Sequence, residues 1–75
     1  MKDLKNMCRH FLHQYGFNLR AIRENLGLSQ LEVAETIGCS QAIISHIECG
    51  YMLPPQHIED ALISIYFMQD GDQND

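Results

Sequence analysis

The chain has 75 residues, 45% of them hydrophobic, and a net charge of -5. A length of this order holds one domain with a single small core, and no apolar run approaches the 18 or so residues of a membrane span. Met1-Lys2 leads into no secretory leader, and an odd count of cysteines (Cys8, Cys39, Cys49) suits free thiols in a reducing compartment, so a soluble cytoplasmic protein without a membrane partner is expected.

Over residues 2–15, Leu4, Met7, Cys8, Phe11, Leu12 and Tyr15 recur at spacings of three and four, the stripe of an amphipathic helix that Gly16 is expected to end. Asn18 is then a candidate cap for a second, short helix carrying Leu19, Ile22, Arg23 and Leu26 up to Gly27. Ser29 opens the pattern Ser-x-x-Glu with Glu32, so each side chain can satisfy the other's orphan backbone donor. The third helix that starts there has Leu31, Val33, Ala34 and Ile37 as its expected buried face, and Gly38 closes it. Ser40 caps a fourth helix from Gln41 to about Glu48, with Ile44 and Ile47 inward and Gly50 at its end. Pro54 and Pro55 mark a loop and the start of a fifth helix over 55–68, carried by Ile58, Ala61, Leu62, Ile65 and Tyr66. Ile63, Phe67 and Met68 make that helix apolar on more than one side, a surplus that a symmetric dimer interface would use. The acidic end, 70–75, is expected to be disordered.

Residues 30–49 are the informative part. Two helices joined by three or four residues are held at a steep angle, and their crossing needs a small residue. Ala34 in the middle of one helix, Gly38 at the turn, and Ile44 and Ile47 on the inner face of the next meet that requirement together, with caps at Ser29 and Ser40. A central helix-turn-helix follows. The runs Leu19-Arg20-Ala21-Ile22-Arg23-Glu24-Asn25, Gly27-Leu28-Ser29-Gln30, Val33-Ala34, Ile37-Gly38 and Ile44-Ser45-His46-Ile47-Glu48-Cys49-Gly50 resemble the Cro and phage-repressor family of regulators, over roughly 17–55. The resemblance implies an all-α five-helix bundle of the lambda-repressor-like kind, binding double-stranded operator DNA as a homodimer. This chain departs from the family's pattern in its helix over 2–15 and in having one closing helix where the family has two.

Carried over by position, the resemblance makes the helix from Gln41 the recognition helix. Gln30 and Ser40, at helix N-termini, would hold phosphates. Gln41, Ala42, Ser45 and His46 would face the major groove, where Gln41 can pair with adenine and Ala42 or Ile43 can meet a thymine methyl. Tyr51 would touch the DNA backbone. Arg23 and Glu48 match the family's partly buried ion pair and are assigned to structure.

The net charge runs against this partner, since phosphate binding draws on Lys and Arg. It is segregated: five basic residues against Asp3 and Glu24 give +3 in the first 25 positions, and from Leu26 onward there are eight acids and neither Lys nor Arg, or -8. Lys2, Lys5 and Arg9 are therefore the candidates for flanking phosphates. His10, His13, His46 and His57 form no metal-ligand spacing with the cysteines, and neither a nucleophile motif nor a glycine-rich loop is present. No metal, cofactor or catalysis is expected. The sequence supports a repressor, of the kind phages and mobile elements use to control their own operons; the alternative is an adaptor or antitoxin-like module that sets its acidic surface against a basic protein.

Overall fold

The computed structural model describes residues 2–68, with side chains from Arg9 onward; the side chains of Lys2 and Lys5 and the tail over 70–75 lie outside the described residues. Four helices make up the architecture: α1 (Lys2–Asn25), α2 (Gln30–Ile37), α3 (Gln41–Glu48) and α4 (Gln56–Phe67). The class is all-α, as the periodicities require, but the count is four and not five among the described residues.

The two helices expected over 2–15 and 18–26 are one continuous helix. Gly16 does not stop it, because a glycine inside a helix costs only about 1 kcal/mol relative to alanine when both flanks already favour the helix. Its lack of a side chain serves packing instead. A Cβ at Gly16 would run into the carbonyl oxygen of Ile47 and come within 2.6 Å of that of Glu48, so only glycine lets α1 lie this close to the end of α3. Asn18, expected as a cap, sits inside α1 and accepts a hydrogen bond from Gln14 Nε2 at 3.0 Å.

The remaining boundaries follow the expected chemistry. The Ser29 Oγ accepts from the Glu32 N–H at 3.0 Å while Glu32 Oε1 accepts from the Ser29 N–H at 2.8 Å, closing the reciprocal cap of α2. Gly38 ends that helix at φ 92°, and its N–H donates to Ala34 O at 2.8 Å. A three-residue turn, 38–40, then leads to α3, where Ser40 Oγ accepts from the Ile43 N–H at 3.4 Å. Pro55 lies just outside α4 as its cap, one position earlier than expected.

α3 sits at the centre of the core. Its Ile44 and Ile47 interlock with Val33 and Ala34 of α2, with Leu19 of α1 on one side and Ile58, Leu62 and Tyr66 of α4 on the other. Leu31, expected on the buried face of α2, is half exposed instead. It lies two residues from Val33, about 200° around a helix of 3.6 residues per turn, and so falls off the Val33-Ala34-Ile37 face. Leu26 is also exposed, past the last turn of α1.

Candidate nucleic-acid interface

The protein's most ordered polar cluster ties the two ends of α3 to α1 and α2. Arg23 grips Glu48 through two bonds, Nε to Oε2 at 2.7 Å and Nη2 to Oε1 at 3.0 Å, a fork-to-fork geometry that a lysine cannot reproduce. Both side chains are buried, at 9% and 3% exposure. The hydrogen bonds to Glu48 hold the Arg23 guanidinium proton above its ordinary affinity, against the opposing pull of burial. The third arm of the guanidinium, Nη1, donates to Leu28 O at 2.7 Å and fixes the link into α2. The expected ion pair is thus present and binds three segments.

Gln30 extends the cluster. Its Nε2 donates to Glu48 Oε1 at 3.0 Å, and its Oε1 accepts from Gln41 Nε2 at 3.4 Å. A continuous chain of contacts, Arg23 to Glu48 to Gln30 to Gln41, therefore runs from the core to the first residue of α3. The sequence placed Gln30 and Gln41 on the same face but not this connection. The signal was present only as two glutamines at the starts of consecutive helices.

On the outer side of α3, Gln41, Ala42 and His46 are exposed and Ser45 is half-buried. Ile43 is half-buried and packs against the core, so less of it is offered outward than the sequence suggested. Ser40 stands exposed at the N-terminus of α3. Tyr51 is 72% exposed, its ring tilted against that of His46 at 5.7 Å and its N–H bonded to His46 O at 2.9 Å. The seven positions from Ser40 to His46, apart from Ile43 and the inward Ile44, make one short polar ridge beside the start of α2, flanked by Tyr51.

The other sequence candidates lie elsewhere. Arg9 is exposed on α1, and Ile63, Phe67 and Met68 are exposed on α4 at 42%, 62% and 64%. An unforeseen bond joins α1 to α4, where the Tyr15 hydroxyl donates to Glu59 Oε2 at 3.0 Å. Burial first, and the bond to Glu59 second, push the Tyr15 hydroxyl pKa above its usual value. No helix of the described residues is long and apolar enough to cross a membrane.

Compared with known proteins, residues 19–60 match the model of a family described as helix-turn-helix, more than half of the chain. The match takes in the C-terminal end of α1, all of α2 and α3 and the start of α4, and it leaves residues 2–18 outside. No curated protein and no solved structure matches the chain.

Proposed function

The chain belongs to the helix-turn-helix family of the Cro and phage-repressor type, whose members are DNA-binding regulators, and from that membership we propose that it is a dimeric repressor of its own operon. Two copies sit on the two halves of a palindromic operator, each laying α3 in the major groove. The observation that carries this reading is the exposed ridge of Gln41, Ala42 and His46 on a helix whose opposite side, Ile44, Ile47 and Glu48, is locked in the core. A helix so anchored keeps its outer side chains in fixed register, which base readout requires.

In this reading Gln41 pairs with an adenine edge, Ala42 and the exposed part of Ile43 meet thymine methyls, and Ser45 and His46 contact neighbouring bases. Gln30 and Ser40 bring phosphates to the N-termini of α2 and α3, and Tyr51 touches the backbone beyond. The bond from Gln41 to Gln30 supports a further role for Gln30, holding Gln41 in the orientation that presents its amide.

Footprinting on the DNA upstream of the protein's own gene, at fixed salt, tests the proposal. A protected palindrome is expected, and Gln41→Ala should lower affinity for it by about 10- to 100-fold while leaving binding to random DNA unchanged, in line with the 1–3 kcal/mol of one bidentate base contact. Equal affinity for random and upstream DNA would sink the reading.

A further inference from the structure

α1 packs on α3 and α4 packs on α2, but α1 and α4 do not close on one another. Between them lies an open groove of about 380 Å³, walled by Tyr15, Asn18 and Ile22 on one side and Glu59, Ile63 and Phe67 on the other. Protein interiors are close-packed, and a carbon-lined gap forfeits dispersion contacts that a small core needs. Something outside the single copy completes it.

The polar groups of the groove narrow the choice. Glu59 Oε2 already accepts from Tyr15, and Asn18 Oδ1 already accepts from Gln14. What the groove lacks is therefore carbon, not a counter-charge, and a strongly basic partner finds little there to pair with. A small apolar molecule would fill the hollow but leave its rims in water, and those rims are the most exposed aromatics of this face. Phe11 stands at one end, 58% exposed and stacked on Tyr15 at 5.9 Å, and Phe67 at the other, 62% exposed.

Along α1 the groove-side residues Phe11, Tyr15, Asn18 and Ile22 recur at intervals of four, three and four. That is the seam spacing by which helices pack against copies of themselves, and a lone Asn in such a seam is the residue type that sets register. A surface that carries both a hollow and projecting rings beside it is complementary to itself under a two-fold rotation. Phe11, Tyr15 and Asn18 also fall before residue 19, in the part of α1 that the family match leaves out.

We infer that this groove is the interface between two copies of the chain, with α1 contributing one wall and α4 the other, so that each copy's exposed rim enters the other's hollow. The inference deepens the dimeric reading above and rests on it for the use to which the pair is put, not for the pairing itself.

Sedimentation of the full chain without DNA tests it. The expected mass is twice 8.6 kDa at micromolar concentration, falling to 8.6 kDa in both Phe11→Glu and Ile63→Glu. Both side chains are exposed in the single copy, so an unchanged helical circular dichroism spectrum should accompany the loss. A wild-type mass of 8.6 kDa up to the solubility limit overturns the inference, as does a pair that survives both substitutions. Dissociation by Ile63→Glu alone removes α1 from the interface and overturns it in the form given. A monomer that binds anilinonaphthalene sulfonate, with binding lost in Phe67→Glu, would mark the groove as a small-molecule site and overturn it too. Failure of the DNA reading is separable: a pair that binds no operator sustains the interface, while a monomer that still protects a specific site overturns the interface alone.

Discussion

Arg23 and Glu48 show how little of a side chain's worth lies in charge alone. Their attraction offsets the desolvation of two ions, and Gln30 and Leu28 O take up the remaining hydrogen-bonding capacity. Removing one ion leaves the other buried, so Arg23→Ala should destabilise the fold by about 3–5 kcal/mol, measured by urea denaturation. Near them, burial and then the Glu48 carboxylate push the Tyr66 hydroxyl up to about 12, from 10.0. The folded state holds that proton more tightly than the unfolded chain. Its contribution is therefore fully present below pH 10 and is lost as pH rises from 10 toward 12, by roughly 2–3 kcal/mol. Comparing wild type with Tyr66→Phe isolates it: the two stabilities should diverge between neutral pH and pH 11, the wild type falling faster. Gly16 gives the sharpest steric case. Alanine gains about 1 kcal/mol of helix propensity, but its Cβ meets backbone carbonyls that cannot swing aside. Overpacking should win, and Gly16→Ala should lower the melting temperature by about 10 °C, taking a net loss of about 2 kcal/mol at 4–8 °C per kcal/mol. The ion pair could be read from the chain because the resemblance fixed both positions. The role of Gly16 could not, since nothing within its own helix shows that α3's carbonyls lie above it.

At the scale of the element, α2 and α3 are eight residues each, below the length at which a helix holds itself together in water. They persist because their ends are chemically closed and one face of each is buried. Ser29→Ala opens the cap of α2 and also frees Glu32, and it should cost about 1 kcal/mol with an unchanged denaturant slope, since the surface exposed on unfolding stays the same. These boundaries were legible because capping is local: Ser29, Glu32, Gly38 and Ser40 act within four residues of themselves. Where the chain was misread, the deciding contact was distant. Asn18 is the residue type of a cap, yet α1 runs through it because Leu19, Ile22 and Arg23 beyond it continue the same helix into the core. Leu31 looked periodic with Ala34, but the angle to Val33 and Ile37 sets it outside their face. The Tyr15–Glu59 bond spans 44 positions and leaves no local trace.

For the molecule as a whole, the arithmetic of cations sets how it can hold DNA. Arg23 is spent inside the core, and Arg20 is bonded to Glu24 at 3.0 Å on the surface of α1. That leaves Lys2, Lys5 and Arg9 as the side-chain cations for phosphate, all in the half of α1 that the family match does not include. The charge segregation that reveals this is plain in the sequence, whereas the packing that removes Arg23 from the count is visible only in three dimensions. Each phosphate neutralised on B-DNA contributes about -0.9 to the slope of log affinity against log salt. Three per copy give about -2.7, and a pair of copies no steeper than about -5. The remainder of the affinity must come from helix N-termini and neutral groups such as Gln30, Ser40 and Gln41, which release few counterions. Fluorescence anisotropy on the protected operator over a range of salt should return that shallow slope, and the triple variant Lys2→Gln, Lys5→Gln, Arg9→Gln should flatten it further while leaving discrimination between bases intact. A slope near -10, or one that the triple variant leaves unchanged, would take the phosphate role away from the start of α1 and return it to the ridge around α3.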